Sequence, residues 1–280
     1  MIGLPIECRL RVCMTPPQTR RVPQRRIAET VADELRNDIL ADDNYRLPTQ
    51  DQLVKDFGVS YPSIREALRI LETEGLVTVR RGNVGGADVR RPDETSAAYH
   101  LGLSLQAGRV TLRDLAEGLQ MLEPMCAAEC AKREDRLEVV VPALTAAIDA
   151  SANFTNCGLD FTNTARDFHT LIVGFTPNAT IRYAVGSYVT LWAAQEEAWA
   201  ESRVKHGDYP TEVEAGAAVQ AHRRIVDEIA AGRPDEAERV ARAHLAATQA
   251  LVLVHHADRV VNASSAMSRQ AIRSNRRSRV

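Results

Sequence analysis

The chain has 280 residues, of which 45% are hydrophobic and only 5% aromatic, and its formal net charge is −2. This composition favours helices built from Ala, Leu and Val over a β-sandwich, and the length fits one or two domains. The sequence contains no run of about 18 apolar residues and no apolar signal core, so we expect a cytoplasmic protein with neither a membrane span nor an export signal. Its five cysteines follow no disulfide or zinc-knuckle spacing, so reduced thiols are expected.

Charge is distributed unevenly along the chain. Residues 1–94 carry equal numbers of acidic and basic side chains, residues 95–258 have a net charge of −8, and residues 259–280 carry six arginines and no acid. Segments that differ this much in charge are expected to have different roles. The four prolines within residues 1–24 indicate a disordered extension, and the aperiodic residues 259–280 indicate a basic disordered tail.

Three short helices are predicted after the N-terminal extension. They are expected over residues 26–41, 50–57 and 60–74. Apolar residues recur every four positions in the first helix, while Thr49 can cap the second and Ser60 the third. Pro62 lies in the first turn of the third helix, where its missing N–H costs little.

A β-hairpin is predicted directly after these helices. Two β-prone runs, residues 76–80 and 87–90, flank a glycine-rich turn at 82–86. Three helices followed by a hairpin describe a winged helix-turn-helix domain over residues 25–92. Residues 93–96 are predicted as a linker.

The remainder of the chain, residues 97–258, is predicted as a second, all-α domain. Its helices are expected over residues 97–107, 111–132, 135–151, 160–174, 178–200, 211–231 and 234–257. Short connections between them favour antiparallel neighbours in a bundle of six to seven helices. The predicted fold class is therefore mainly α: a winged helix-turn-helix followed by an antiparallel all-α bundle.

A family resemblance is carried by residues 47–86, LPTQDQLVKDFGVSYPSIREALRILETEGLVTVRRGNVGG. This stretch resembles the DNA-binding domain of the GntR transcription regulators, and the match covers residues 26–91. The helical remainder resembles the FCD effector domain of the FadR subfamily. That second resemblance is carried by LEPMCAAECA (122–131), DFHTLI (167–172), PNATI (177–181) and AHRRIVDEIAAGRPDEAERVARAHL (221–245).

Taken together, the two resemblances imply a ligand-responsive transcription regulator rather than an enzyme. It is expected to bind double-stranded DNA as a repressor and to hold a small-molecule effector in the helical domain. A homodimer on a palindromic operator is expected, because a two-fold protein matches a two-fold site.

The resemblance makes the third helix the recognition helix of the DNA-binding domain. Its N-terminal residues would meet base edges, while hydroxyl and N–H groups would reach phosphates. Arg65 is expected to read a guanine. The expected DNA-binding residues are Thr49, Ser60, Tyr61, Pro62, Ser63, Arg65, Arg69, Arg81 and Gly82. Taken alone, an arginine-bearing amphipathic helix is usually a solvated face, so this assignment depends on the match of the whole motif.

Two positions depart from the pattern of the family. Many relatives have arginine where this chain has Tyr61, and arginine or lysine where it has Asp51. Tyr61 can touch a sugar or a thymine methyl group, but it cannot make a two-pronged contact with guanine. Asp51 is expected to repel phosphate unless it reaches a cytosine amino group. The resemblance therefore implies DNA binding but no particular operator sequence.

Three histidines on separate predicted helices, His169, His222 and His244, form a candidate metal site. FCD domains hold a divalent metal with three histidines and an Asp or Asn four residues before the first, a position that is Ala165 here. Three imidazoles can still bind Zn²⁺ or another divalent metal, with water or an effector carboxylate as the fourth ligand. The alternatives are polar bundle histidines without metal, a metal-sensing regulator and, in a different class, a zinc-dependent enzyme.

An effector site is expected on the helix that carries the LEP motif. Relatives often have arginine at the position of Leu119, and an apolar pocket lined by Leu119, Leu122 and Met125 would suit a fatty acid or acyl thioester better than a small sugar acid. Another carboxylate is the alternative effector. Glu123 and Asn178 complete the expected effector-binding set, with a helix cap as the alternative role of Asn178. Apolar residues at helical spacing are more commonly plain core.

Overall fold

The computed structural model describes residues 24–80, 86–154 and 158–263. Within these ranges the chain forms ten α-helices, one two-stranded sheet and a short π-helix, Arg136–Val140, which directly precedes α6 within the predicted helix 135–151. The elements are α1 (Gln24–Ala41), α2 (Gln50–Phe57), α3 (Tyr61–Thr73), β1 (Val77–Arg80), β2 (Gly86–Val89), α4 (Glu94–Ala107), α5 (Leu112–Lys132), α6 (Val141–Ala152), α7 (Leu159–Phe175), α8 (Ala179–His206), α9 (Glu212–Ala230) and α10 (Pro234–His256). The predicted fold class is confirmed.

The backbone divides into an N-terminal unit, Met1–Arg91, and a helical unit, Pro92–Val280. In the N-terminal unit, helices α1 to α3 bury one continuous apolar core. Its fully buried side chains include Leu35, Ile39, Leu53, Ile64, Leu68 and Leu71. Strand β1 pairs antiparallel with β2, with Val77 opposite Val89.

In the helical unit, α5 packs along α10, and α7 lies between α6 and α8. The core contains Leu119, Leu144, Ile148, Phe168, Ile172 and Leu191, all fully buried. Helix α8 continues to His206, beyond the predicted end at residue 200, because Gly207 in the left-handed region (φ 73°) is what ends it. Among the helices described, none combines the length and apolar character that crossing a bilayer requires.

The structure differs from two predicted domain boundaries. The predicted linker, residues 93–96, contains the first turn of α4, because the side chain of Asp93 caps that helix by accepting a hydrogen bond from the Ser96 N–H at 3.0 Å. The predicted tail begins too early at residue 259, since Val261 and Ala263 are fully buried in the helical unit. The predicted N-terminal extension up to residue 23 and the tail beyond Ala263 lie outside the described residues.

Candidate functional site

Helix α3 has one buried face and one exposed face. Its buried residues are Ser63, Ile64, Ala67, Leu68 and Leu71. Tyr61, Arg65 and Arg69 follow one another at intervals of four and are exposed, so they share the opposite face. Arg69 forms an exposed ion pair with Glu66 at 3.4 Å, whereas no described residue accepts a hydrogen bond from Arg65. This face therefore offers the guanidinium group of Arg65 to a ligand.

The two residues that depart from the family pattern are in contact. The hydroxyl of Tyr61 donates a hydrogen bond to Oδ1 of Asp51 at 2.9 Å, which links the first residue of α3 to the first turn of α2. This hydrogen bond and the negative charge of Asp51 raise the pKa of the Tyr61 phenol above its ordinary value, so the phenol keeps its proton at neutral pH. The sequence gives no indication that these two residues meet, whereas in the structure they are joined by this hydrogen bond.

Two expectations for the serines at the start of α3 are wrong. Ser63 is only 2% exposed, so its side chain cannot face DNA. Ser60 occupies the N-cap position, but its side chain does not cap the helix. The two hydroxyl oxygens lie 3.1 Å apart and hydrogen-bond to each other, which satisfies Ser63 inside the fold.

Of four further residues expected at DNA, two lie in the described part of the chain and two do not. Thr49 is exposed, and its hydroxyl accepts a hydrogen bond from the Gln52 N–H at 3.3 Å, so it caps α2 as predicted. Pro62 is exposed in the first turn of α3. Arg81 and Gly82 lie outside the described residues.

The helical unit brings the three predicted histidines together. His169 of α7, His222 of α9 and His244 of α10 point their Nε2 atoms at one another. The Nε2 separations are 3.3 Å for His169–His222, 2.9 Å for His222–His244 and 3.4 Å for His244–His169. Nitrogen ligands 2.0–2.1 Å from a tetrahedral zinc lie about 3.3 Å apart. The donor set therefore fits a divalent metal ion.

The carboxylate of Glu123 orients His169. Its Oε1 lies 2.5 Å from Nδ1 of His169, and because an ionised carboxylate only accepts, we assign the imidazole proton to Nδ1. The lone pair of Nε2 then faces the other histidines, as metal-binding histidines require. Burial by itself lowers the pKa of His169, but the charge of Glu123 and its hydrogen bond outweigh burial and leave that pKa raised. Glu123 thus orients one of the three candidate metal ligands and is not itself part of the histidine cluster.

The other two histidines are buried and neutral. The ring of His222 stacks on Phe168 with centroids 4.0 Å apart. Burial, together with the charges of His244 and His169, holds the pKa of His222 well below its ordinary value. Burial, followed by the charge of His169, lowers the pKa of His244 to about 3. Neutral imidazole is the form that binds metals. Ala165 offers no donor, so these three ligands leave a fourth position for an oxygen ligand.

Leu119 and Met125, two of the residues predicted to line the effector pocket, do not share a face of α5. Leu119 is buried in the core, whereas Met125 is 37% exposed, because six residues along α5 bring the two side chains to different faces. Leu122 packs half-buried against the core. Asn178 is exposed, and its Oδ1 accepts a hydrogen bond from the Ile181 N–H at 3.1 Å, so it takes its alternative role as the cap of α8.

A cleft of about 380 Å³ lies elsewhere in the helical unit. It is lined by Thr95, Arg166, Thr170, Leu171, Val173, Gly174, Phe175, Gly186, Val189, Thr190 and Ala193. Arg166, its charged residue, is only 7% exposed and bonds to Asn163 at 3.2 Å and to Glu196 at 3.4 Å. The Nε of Arg166 is buried without a hydrogen-bond partner in the described part of the chain. A cleft of this size is a candidate site for a small ligand, and the guanidinium group in its lining is ion-paired with Glu196.

Comparisons with known proteins agree with both units. The family model "Bacterial regulatory proteins, gntR family" matches residues 27–84, and the FCD domain model matches residues 114–247. The chain is a GntR family transcription regulator. It has an N-terminal GntR helix-turn-helix domain, which implies DNA binding, and a C-terminal FCD domain, which implies a small-molecule effector.

Individual relatives of this GntR regulator extend over most of its length. It is 26% identical over 239 residues to the HTH-type transcriptional repressor NanR of Escherichia coli, covering 81% of this chain and 85% of the relative. It is 25% identical over 233 residues to the protein of the same name in Enterobacter sp. strain 638, with the same coverage. The solved structure of Streptococcus agalactiae GntR shares the fold, with a TM-score of 0.60 at 22% identity over 79% of this chain and 98% of that one.

These matches decide between the functional classes. Both domains and the relatives are those of transcription regulators, so this GntR regulator is not an enzyme. Sequence reasoning missed Arg166 as a candidate for ligand binding, and it placed Glu123 in the effector-binding set, whereas the carboxylate of Glu123 contacts His169. The available signal for Arg166 was its place one helical turn before His169, on a helix already assigned to the site.

Proposed function

We propose that this GntR regulator is a repressor of the FadR subfamily that binds a palindromic operator as a homodimer in the cytoplasm. The observation that carries the proposal is the exposed face of α3, on which Arg65 has no acidic partner among the described residues. Arg36 and Arg80 of the same unit, by contrast, are paired with Glu74 and Asp88. An unpaired arginine at the start of a recognition helix is suited to the O6 and N7 atoms of guanine. Repression agrees with the names of the curated relatives.

The proposed effector is a small organic acid held in the cleft at Arg166. A fatty acid or acyl thioester would need an extended apolar pocket, whereas Leu119 and Met125 lie on different faces of α5. The cleft has Arg166 in its lining, and this guanidinium group, although ion-paired with Glu196 at 3.4 Å, supports a small carboxylate ligand instead. The acid can change DNA binding only if it binds the DNA-competent and the DNA-incompetent states of the protein with different affinities.

The proposed cofactor is Zn²⁺ or another divalent metal held by His169, His222 and His244. When bound, such an ion supplies a Lewis-acidic position open to an oxygen ligand. The histidines come from three helices, so one ion bound by all three would hold α7, α9 and α10 together. Glu123 keeps His169 in the tautomer that this role needs.

DNA binding is tested with the full-length protein. We expect selection from random double-stranded DNA to enrich one palindrome, with an affinity that falls steeply as salt rises. Arg65→Ala is expected to weaken binding by roughly 1–3 kcal/mol. Arg239→Ala, which removes an exposed ion-paired arginine from α10, is the matched control and should leave affinity unchanged. Failure of the wild-type protein to enrich any sequence would overturn the proposal.

Effector and metal are tested on the selected operator. A panel of small organic acids, fatty acids and acyl thioesters is added, and release of DNA by an organic acid in the wild type but not in Arg166→Gln supports the cleft. If only fatty acids or acyl thioesters release the DNA, the proposal of a small organic acid as the effector is wrong. If a chelator alone releases the DNA, added metal restores binding and the helix content by circular dichroism stays unchanged throughout, the ion is itself the signal and the metal-sensing alternative replaces the acid.

A further inference from the structure

We infer that Asp51 and Tyr61 read the operator as one unit, an acceptor pair that selects a base with an amino group in the major groove, either cytosine or adenine. The inference rests on the proposed function, because it takes the exposed face of α3 to be the one that meets DNA. Its basis is the 2.9 Å hydrogen bond between two exposed side chains at the adjoining starts of α2 and α3.

The position of the pair is that of a base-reading group. Tyr61 is the first residue of α3 and is 44% exposed despite its contact with Asp51. Arg65 lies one turn further along on the same face. The acceptors of the pair and the donors of Arg65 are therefore neighbours on one surface, and both belong to the end of the recognition helix that approaches base edges.

The hydrogen bond determines what the pair can offer. A phenol has one proton, and the proton of Tyr61 is donated to Asp51, so its oxygen is left with acceptor lone pairs only. The carboxylate of Asp51 is likewise an acceptor and is fixed in direction by the phenol. The raised pKa of Tyr61 agrees with a phenol that stays protonated in this contact.

An acceptor pair divides the four bases into two groups. In the major groove cytosine presents its N4 amino group and adenine its N6 amino group, whereas guanine O6 and N7 and thymine O4 are acceptors. A carboxylate that faces guanine or thymine loses its hydrogen bonds to water and gains no donor in exchange, which makes the free energy of binding less favourable. The pair therefore selects cytosine or adenine as much by rejecting the other bases as by attraction.

A purely structural role makes a different prediction. If the hydrogen bond only fastens α2 to α3, removing the Tyr61 hydroxyl lowers stability and leaves sequence preference unchanged. Tyr45 supplies the matched control, since its half-buried phenol lies beside the carboxylate of Asp38 on α1 of the same unit and not on α3.

The experiment selects operator half-sites with four full-length proteins: wild type, Tyr61→Phe, Asp51→Asn and Tyr45→Phe. Wild type and Tyr45→Phe are expected to enrich cytosine or adenine at one half-site position beside a guanine, and to prefer it over guanine or thymine by roughly ten- to hundredfold. Tyr61→Phe and Asp51→Asn are expected to lose that enrichment. The guanine contact of Arg65 remains in all four.

A second measurement leaves the protein unchanged. The exocyclic amino group is deleted from the selected base by using 2-pyrimidinone for cytosine or unsubstituted purine for adenine. Wild-type affinity should fall by roughly ten- to hundredfold. An unchanged affinity, or an unchanged motif for Tyr61→Phe, overturns the inference and leaves the proposed function intact. Absence of any enriched motif in the wild type overturns both.

Discussion

The carboxylate of Glu123 accepts a hydrogen bond from Nδ1 of His169 across 2.5 Å and thereby joins α5 to α7 behind the three converging Nε2 atoms. A partner of this kind fixes the tautomer of a metal-binding histidine and increases its basicity. We expect Glu123→Gln to weaken zinc binding by about 10- to 100-fold. Competition between the full-length protein and a chromophoric chelator measures this affinity.

The control for this substitution is Glu117→Gln. Glu117 lies on the same helix but is exposed and away from the histidines, so the change in charge is equal while the contact with His169 is kept. Its zinc affinity should match that of the wild type. Equal affinities for Glu123→Gln and the wild type would show that the carboxylate does not support the site.

A two-pronged ion pair links α1 to the residue that follows α3. Arg36 donates from Nε to Oε2 of Glu74 at 2.8 Å and from Nη2 to Oε1 at 2.7 Å. These contacts raise the pKa of Arg36, the hydrogen bond to Glu74 most of all. Because both side chains are partly exposed, we expect Glu74→Gln to lower the free energy of unfolding of the N-terminal unit by only about 0.5–1 kcal/mol.

Urea unfolding of the full-length protein at low and high salt checks this expectation. Salt should reduce the difference between wild type and Glu74→Gln, because it screens exposed charges. Glu34→Gln removes an exposed carboxylate from α1 that has no partner among the described residues, and it should have little effect. A loss for Glu34→Gln equal to that for Glu74→Gln would mean that net charge, and not the ion pair, matters.

The helices and their order could be predicted from the sequence because periodicity, caps and breakers are local signals. Gly58 ends α2 in the left-handed region at φ 61°, and Asn178 caps α8, as their residue types suggest. The three histidines could be grouped because each belongs to a helix of the same bundle. Residue types therefore predicted the candidate metal site because each histidine lies on a helix that the local sequence already predicts.

The remaining features depend on contacts between separate elements. The Tyr61–Asp51 bond joins two helices, and Glu123 and His169, which are separated by 46 positions in the chain, carry no local sign that they meet. Ser63 is buried because it shares the inward face of α3 with Ala67, one turn away. Sequence reasoning gave precedence to its hydroxyl over this periodicity, and the periodicity was the better guide.

Gly102 of α4 is expected to tolerate no side chain. A Cβ at this position would lie 2.7 Å from Leu191 and 3.2 Å from the Cβ of Ala263, and both residues are fully buried. We expect Gly102→Ala to lower the free energy of unfolding of the helical unit by about 1–3 kcal/mol through overpacking. Thermal or urea unfolding measures it.

Gly216 in α9 provides the comparison of opposite sign. A Cβ there meets no atom within 4 Å, so Gly216→Ala should stabilise by about 0.5–1 kcal/mol because alanine loses less backbone freedom in a helix. If both substitutions stabilise, α4 does not approach α8 and Ala263 as closely as the structure has it.

Cys126 and Cys130, on one face of α5, are expected to resist alkylation in the folded protein. Burial raises the pKa of Cys126 to about 11 and that of Cys130 to about 12, and the thiolate is the reactive form. At pH 8 the native protein should therefore leave both residues unlabelled by iodoacetamide, as read by residue-resolved mass spectrometry, while urea should make both reactive. Since the thiols of the unfolded chain ionise near pH 9, the free energy of unfolding should also fall as the pH rises from 9 towards 11. Labelling of either residue in the native protein as fast as in urea would contradict its burial in the core of the helical unit.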